Sequence, residues 1–186
     1  MNSGYTTTGR VSGVHRSAVH SFSKSPQSEI ELITGIGVAG DAHSGATVRH
    51  RSRVAKDPSA PNLRQVHLIA SETLRELRAS GFDVHPGDLG ENVTTEGVVW
   101  TKVLTGTRVL FDGGCVIEIT GLRNPCHQIE NFRRGLLDEV RSVAADGTID
   151  RQAGVMGIVS NGGRLSAGTE FVLEPPPPGA SPLVVV

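Results

Sequence analysis

The sequence predicts a mainly β protein, folded as a closed or nearly closed barrel with a few peripheral α-helices. Glycine accounts for 23 of the 186 residues, whereas Trp, Tyr and Phe occur only 1, 1 and 5 times. Short segments rich in Val, Ile and Leu alternate with turn residues, which is typical of a β protein rather than a helical bundle. The number of these segments and the regular turns between them favour closure of the sheet.

Eight strands are predicted from short segments that alternate in polarity or form apolar runs between turn residues. They cover Val11–His15, Glu29–Ile33, Leu63–Ile69, Asn92–Thr94, Thr107–Phe111, Cys115–Thr120, Gly154–Ser160 and Thr169–Leu173. The segments Asp112–Gly114 and Asn161–Gly163 have the residue types of tight hairpin turns.

Two helices are predicted. The first runs from Ser71, which suits the N-cap, to Ser80, and Gly81 ends it. The second runs from Pro125 to about Val143, because apolar residues recur there at helical spacing. This apolar stripe contains Ile129, Phe132, Leu136, Leu137 and Val140.

We expect one domain over residues 11–173, a flexible N-terminus over 1–10 and a proline-rich C-terminal tail over 174–186. The apolar end of this tail, Leu183–Val186, could instead pair as an edge strand. A net charge of −1 argues against nucleic-acid binding, and no apolar run is long enough to cross a membrane. Two cysteines and a polar start without a signal-peptide pattern predict a cytoplasmic protein.

Cys126 is the strongest candidate for a functional residue. Asn124 suits an N-cap and Pro125 suits the first helical position, so Cys126 is predicted in the first helical turn. Unpaired backbone N–H groups, the helix dipole and the nearby Arg123 would favour an anion there. Such a setting lowers the pKa of a thiol and makes it a nucleophile or a ligand for a soft metal. Burial of Cys126 by packing is the alternative.

The other cysteine has a structural interpretation. Cys115 shares one face of a predicted strand with Ile117 and Ile119, so we expect it to be a small buried hydrophobic residue.

Two loops carry charged residues. The segment Gly35–His43 resembles a dinucleotide-binding fingerprint, but no βαβ unit surrounds it, so we expect a tight loop in which Asp41 bonds backbone N–H groups. The basic run Arg49–Arg53, which contains Arg51 and Arg53, is either a solvated loop or an anion clamp.

A further motif is Gly87-Asp88-Leu89-Gly90-Glu91-Asn92. Asp88 and Glu91 could serve as general acid and base, although a turn with hydrogen-bonded carboxylates is the more common role. Asn92 could offer its amide to a ligand. Of the histidines, His43 and His67 could approach each other, but the spacing of Cys and His disfavours a zinc site.

Five short motifs together resemble the MOSC domain, named after the C-terminal domain of molybdenum-cofactor sulfurase. In order they are Gly40-Asp41-Ala42-His43, Arg64-Gln65-Val66, Gly87 to Asn92, Arg123-Asn124-Pro125-Cys126 and Gly154-Val155-Met156-Gly157. The resemblance extends from Val11 to Leu173. It implies a barrel related to that of pyruvate kinase. The chain resembles the small stand-alone bacterial members of the family.

The resemblance also implies a cofactor, a molybdopterin-type molybdenum cofactor, and roles for particular residues. Cys126 would carry sulfur as a persulfide or bind molybdenum directly, and Asn92 would lie beside the pterin. Lys24 and Ser25 would lie near the cofactor phosphate, Arg123 and Asn124 would flank the metal, and Val155 and Met156 would line the far wall. Pyridoxal phosphate binding is a further family-level association.

Three functions remain open at this point. The first, which we favour narrowly, is a molybdenum-dependent reductase of N-hydroxylated small molecules that receives electrons from a separate reductase. The second is a sulfur carrier that accepts sulfur on Cys126 from a cysteine desulfurase. The third is a non-catalytic barrel that binds an anionic ligand through Lys24 and Arg49–Arg53.

Overall fold

The computed structural model describes residues 7–48, 57–143, 147 and 149–186. Within these ranges the strands are β1 (Thr8–Arg16), β2 (Ser25–Gln27), β3 (Glu29–Ile33), β4 (Gly37–Val38), β5 (Val66–Ala70), β6 (Val93–Glu96), β7 (Arg108–Phe111), β8 (Val116–Leu122), β9 (Arg141–Val143), β10 (Ile149–Arg151), β11 (Val155–Asn161), β12 (Gly163–Ser166) and β13 (Glu170–Glu174). The helices are α1 (Ser71–Ala79), α2 (His127–Phe132) and α3 (Leu136–Glu139), and Trp100–Lys102 forms a 3-10 turn. In the described part of the chain, no helix has the length and apolar character needed to cross a membrane.

Seven strands form a closed barrel, which confirms the predicted fold class. Their order is β1, β13, β7, β8, β11, β5 and β6, and β1 closes the ring by pairing with both β13 and β6. All neighbours are antiparallel except β5 and β6, which run parallel. Strands β12, β3 and β4 form a second small sheet, and β9 pairs with β10.

The barrel interior is filled by alternate residues of its strands, as expected for side chains with a period of two. On β8 and the residue before it, Cys115, Ile117 and Ile119 are all at most 1% exposed, so the predicted role of Cys115 is confirmed. A second apolar cluster lies outside the barrel and holds the helices. It includes Ile69, Leu74, Leu77, Leu89, Ile129 and Leu136.

All eight predicted strands are present, with bounds shifted by up to three residues. The short strands β2, β4, β9, β10 and β12 were not predicted, since two to four residues carry too little alternation to be recognised. The Asp112–Gly114 hairpin is confirmed by the pairing of β7 with β8. The Asn161–Gly163 hairpin is wrong, because β12 pairs with β3 and the chain crosses there to the second sheet.

The prediction of one long helix from Pro125 to Val143 is also wrong. Gly135 has a φ of +84°, and its N–H donates to both oxygens of Glu130, at 2.9 and 3.0 Å. This turn ends α2 and begins α3, and the chain then forms β9. The apolar stripe was nevertheless identified correctly, since Ile129 and Leu136 are fully buried in the same cluster.

Described residues near both ends of the chain pair with the barrel. Strand β1 begins at Thr8, inside the segment expected to be flexible, while residues 1–6 lie outside the described residues. At the other end, the N–H of Leu122 donates to Val184 O at 2.8 Å, and the N–H of Val186 donates to Leu122 O at 3.3 Å. The end of the tail therefore pairs with the end of β8, in a parallel bridge between Leu122 and Val185.

Candidate functional site

Cys126 lines a cavity of about 100 Å³ on the outside of the barrel. A cavity of this size holds several water molecules or a small anionic group. The predicted site residues Lys24, His43, Asn92, Arg123, Asn124 and Met156 line it together with Ser21, Phe22, Asn62, Arg64, His67, Leu89, Gly90 and Gln128. Segments far apart in the sequence thus converge on the cysteine.

Cys126 is half-buried at the wall of this cavity. It is the N-cap of α2 with extended backbone, φ −132° and ψ 170°, so it stands one position before the helical turn in which it was predicted. Its thiol donates to Gln128 Oε1 at 3.6 Å. Asn124 is exposed and lies before the cap, so the predicted cap at Asn124 is wrong.

Arg123 places a buried positive charge beside the cysteine. The residue is 8% exposed, and its backbone N–H donates to Gly154 O at 3.0 Å. Its guanidinium lies 5.8 Å from the centre of the Phe22 ring. Burial lowers the pKa of Arg123, while the charges of Cys126 and Glu91 oppose this shift. Nη1 is buried and has no hydrogen-bond partner among the described residues.

A buried ion pair underlies the cavity. Lys24 Nζ lies 2.7 Å from Asp41 Oδ2, and the two side chains are only 4% and 2% exposed. Burial lowers the pKa of Lys24, although the charge of Asp41 raises it. Burial would raise the pKa of Asp41, but hydrogen bonds from His43 and the charge of Lys24 hold it well below its usual range. Asp41 is therefore ionised near neutral pH.

Asp41 also orients His43. The backbone N–H of His43 donates to Asp41 Oδ1 at 2.9 Å, and its ring Nδ1 lies 3.3 Å from the same oxygen. Because an ionised carboxylate only accepts hydrogen bonds, Nδ1 carries the proton in this contact. The backbone contact of His43 confirms the predicted role of Asp41 in bonding local N–H groups. Asp41 Oδ2 also accepts the N–H of the distant Ser17 at 3.3 Å.

Asn92 joins three parts of the site. Its Nδ2 donates to Asp41 Oδ2 at 3.1 Å and to His15 O at 3.2 Å, and its Oδ1 accepts from the N–H of His67 at 3.2 Å. The amide that was expected to bind a ligand is thus bonded within the protein. Asn92 lines the cavity as a structural brace.

The Gly87–Asn92 motif lets two backbone segments pass closely. Side chains at Gly87 or Gly90, both at positive φ, would collide with the carbonyl oxygens of Lys24 and Phe22 respectively. This close approach brings Lys24 to the cavity. Sequence reasoning noted these glycines without identifying what they approach.

The two acids of this motif do not line the cavity. Asp88 accepts the N–H of His85 at 2.9 Å, as in the structural turn considered for it. Glu91 is fully buried, and its Oε1 accepts from Gly87 N at 2.5 Å and from Thr94 at 3.2 Å. Burial raises the pKa of Glu91.

Some other predicted site residues lie elsewhere. Ser25 is exposed on β2 and does not line the cavity, although its neighbour Lys24 does. Val155 lies in the barrel core, whereas the next residue, Met156, faces the cavity. Arg51 and Arg53, with the rest of the Arg49–Arg53 run, lie outside the described residues.

Sequence reasoning did not assign Phe22, Asn62, Arg64, His67 and Gln128 to the cavity. His67 is buried in β5, and its ring Nε2 lies 2.8 Å from Ala153 O. His67 lines the cavity together with His43, which it was expected to be able to approach. Its position in an apolar run was a further signal, because a polar residue inside such a run needs a buried partner. Among the described residues, no group of three or more His, Cys, Asp or Glu side chains could hold a metal ion.

A family model described as the MOSC domain matches residues 48–172, well over half of the chain. The chain belongs to the MOSC domain family. YuaD of Bacillus subtilis (strain 168), named as a candidate metal-sulfur cluster biosynthesis protein, is 26% identical over 127 residues. That match covers 65% of this chain and 66% of YuaD, just under two thirds of the relative's length.

Solved structures share the MOSC fold. The crystal structure of YuaD from Bacillus subtilis has a TM-score of 0.72 at 22% identity, covering 90% of this chain and 96% of that one. YiiM from Escherichia coli has a TM-score of 0.57 at 18% identity, with coverages of 95% and 72%. YiiM from Geobacillus stearothermophilus has a TM-score of 0.59 at 17% identity, with coverages of 94% and 77%.

Two buried histidines near the MOSC cavity predict loss of stability in acid. Burial and the charge of Lys24 lower the pKa of His15 to about 4, and burial and the charge of Arg123 lower the pKa of His67. Unfolded histidines bind protons below about pH 6.5, so the unfolded state gains protons first and stability falls from there toward pH 4. We expect His15 alone to lower the free energy of unfolding by about 3 kcal/mol between pH 7 and pH 4, measured by urea unfolding at about pH 7, 5.5 and 4.

The matched variants are His15→Gln and His85→Gln, since the side chain of His85 is 62% exposed. We expect His15→Gln to reduce the dependence of the free energy of unfolding on pH, and His85→Gln to leave that dependence unchanged. Equal slopes for His15→Gln and the parent protein would contradict the assignment.

Proposed function

We propose that this MOSC protein binds a molybdopterin-type molybdenum cofactor through Cys126 and reduces N-hydroxylated small molecules. The observation that carries the proposal is the guanidinium of Arg123. It lies in the cavity beside Cys126, and its buried Nη1 has no partner among the described residues. A buried, unpaired N–H of a charged group is costly, and an anionic ligand would satisfy it.

The residues present suit the metal and one anionic group of such a ligand, and the cavity of about 100 Å³ would take that end of the cofactor rather than the whole molecule. The Cys126 sulfur is a soft donor of the kind that binds redox metals. Arg123 would pair with an anionic group of the cofactor, whereas Lys24 already has Asp41 as its counter-charge and would contribute mainly to the local positive potential. Phe22, Leu89 and Met156 give the cavity apolar walls.

When bound, the cofactor would supply the two-electron chemistry, with electrons from a separate reductase protein. This chain would hold and orient the cofactor, and His43 would face the substrate. His43 lines the cavity and Asp41 fixes its ring through Nδ1, so Nε2 is directed away from that carboxylate. We assign His43 as a residue that would contact a substrate bound beside the cofactor.

We favour the molybdenum cofactor over pyridoxal phosphate at this cavity. Pyridoxal phosphate requires a lysine amine that can form a Schiff base. Among the described residues, Lys24 is the lysine that lines the cavity. Its amine forms a buried ion pair with Asp41.

The test is the molybdenum content of protein produced in a host that makes the cofactor. We expect molybdenum and pterin in the parent protein and their loss in Cys126→Ser. We expect retention to be about 10- to 100-fold weaker in Arg123→Gln, because a neighbouring group that neutralises the ligand is missing. Arg164→Gln is the control, since the side chain of Arg164 is 71% exposed and pairs with Glu29 outside the cavity.

Two outcomes would remove the proposal. One is a parent protein without molybdenum from a host in which a known molybdenum enzyme is loaded. The other is a folded Cys126→Ser protein that keeps all of its molybdenum. If anions still bind this variant and no molybdenum is found in the parent, the non-catalytic binding barrel is the better description.

A sulfur carrier is the second candidate. It is favoured by the partial exposure of Cys126 at the cavity wall and by the name of the relative YuaD, which refers to metal-sulfur cluster biosynthesis. The Cys126 thiolate would attack the outer sulfur of a persulfide on a cysteine desulfurase. A new S–S bond forms on Cys126, and the donor cysteine leaves as a thiolate. In the same preparations, one added sulfur atom on Cys126 without bound molybdenum would select this function.

A further inference from the structure

A second cavity, of about 320 Å³, is lined by residues next in sequence to two that line the Cys126 cavity. Leu122 and Val155 line it, whereas the next residues, Arg123 and Met156, line the Cys126 cavity. This follows from the alternation of side chains along β8 and β11. Its volume is within the range of small-molecule sites, and it is larger than the cavity at Cys126.

The inner wall of this second cavity is apolar. Val98, Trp100 and Val155 are buried, with at most 4% exposure, and the half-buried Leu122 completes the wall. The indole N–H of Trp100 is already satisfied, since it donates to Thr95 Oγ1 at 2.9 Å. The wall therefore offers contact to an apolar group and no unpaired indole N–H.

One cationic side chain at this cavity has unused hydrogen-bonding capacity. Arg151, at the end of β10, donates from Nη1 to Ile149 O at 3.3 Å. Its Nε is buried and has no partner among the described residues. A guanidinium with an unsatisfied buried N–H is suited to a carboxylate, whose two oxygens match its fork.

The acidic side chains of the cavity differ in availability. Glu72 Oε1 accepts the N–H of Gly97 at 3.0 Å and lies 3.4 Å from Arg75 Nη2. Glu76 is exposed, and its carboxylate makes no hydrogen bond or ion pair with the described part of the chain. The cavity thus has one available positive group and one available negative group beside an apolar wall.

We propose that this second cavity binds an α-amino acid with an apolar side chain. Its carboxylate pairs with Arg151, its ammonium group faces Glu76 and its side chain contacts Val98, Trp100 and Val155. A ligand with only a negative charge is disfavoured because Glu72 and Glu76 outnumber Arg151. This site is independent of the function proposed for Cys126.

The test uses the fluorescence of Trp100, which is the single tryptophan of the chain and lines this cavity. The probes are L-leucine, L-leucinamide, which lacks the carboxylate, and 4-methylpentanoate, which lacks the ammonium group. We expect saturable binding of L-leucine and at least about tenfold weaker binding of both analogues, the size expected from losing one charged contact.

Variants separate the two charged contacts. Arg151→Gln is expected to weaken binding of L-leucine by about tenfold and to leave binding of L-leucinamide unchanged. Glu76→Gln is expected to weaken binding of L-leucine and to leave binding of 4-methylpentanoate unchanged. Thr73→Phe fills the cavity without changing its charge and should abolish binding of all three probes. Arg164→Gln is the control and should bind as the parent does.

The proposal is overturned if L-leucine produces no saturable change in the parent protein, or if folded Arg151→Gln binds L-leucine as tightly as the parent. It is also overturned if L-leucine and 4-methylpentanoate bind equally. Should Arg151→Gln fail to fold, Glu76→Gln and Thr73→Phe still decide the outcome. Molybdenum content in these variants is expected to equal that of the parent, so failure here is distinct from failure at Cys126.

Discussion

Replacing Asp41 by Asn is expected to lower the free energy of unfolding by about 3–5 kcal/mol, the cost of breaking a buried ion pair from one side. The change leaves the buried Lys24 Nζ without its contacting counter-charge, since its 2.7 Å partner becomes neutral. It also weakens the contacts to His43 and Asn92, which both donate to the same carboxylate. Urea unfolding at neutral pH measures the effect.

The control is Glu96→Gln, which removes an ion pair of similar length, 2.8 Å, with Arg10. That pair is exposed and screened by solvent, so we expect no measurable change in the free energy of unfolding. The double variant Asp41→Asn with Lys24→Met should recover part of the lost stability, because it removes the unpaired buried charge. An Asp41→Asn protein within 1 kcal/mol of the parent would contradict the role of this pair.

The barrel could be predicted from the sequence because its strands and turns are indicated by residues that are close together in the chain. Alternation of apolar residues marks strands such as β8, and the glycine-rich turn after Phe111 marks the hairpin with β7. The faces of these strands were also correct, since Cys115, Ile117 and Ile119 are buried together. A period of two is sufficient for both conclusions.

The site was predicted only in part, since its chemistry depends on contacts between distant residues. Asp41 pairs with Lys24, 17 positions away, and with Asn92, 51 positions away. No periodicity reveals such pairs. The motif around Arg123 indicated a positive charge near the cysteine, but the burial of the guanidinium follows from packing against Phe22.

The prediction of a long helix after Pro125 was wrong for a local reason that outweighed the helical spacing of its apolar residues. Its apolar stripe is real and is buried against the barrel, but Gly135 interrupts the helical conformation. A stripe fixes which residues face the core, whereas a single residue at positive φ decides whether one helix or two present them. The shorter α2 leaves Cys126 as its N-cap at the cavity wall.

Gly154→Ala is expected to destabilise the protein by about 2–4 kcal/mol, from a strained backbone and overpacking together. Gly154 has a φ of +89°, which disfavours any side chain. An added Cβ would also collide with the carbonyl oxygen of Leu68 and lie 2.8 Å from His67 Nε2. Because Gly154 O accepts the N–H of Arg123, the change should displace the cation beside Cys126 and lower molybdenum retention as well.

Gly113→Ala is the matched control for this prediction. Gly113 has nearly the same φ, +87°, but nothing lies within 4 Å of an added Cβ. Its cost should be the backbone strain alone, about 1 kcal/mol, with no effect on the Cys126 cavity. The difference between the two variants therefore measures how tightly β11 packs against β5 behind the site. Equal destabilisation of the two, by chemical unfolding, would mean that β5 yields to the added methyl group and does not hold Arg123 in place.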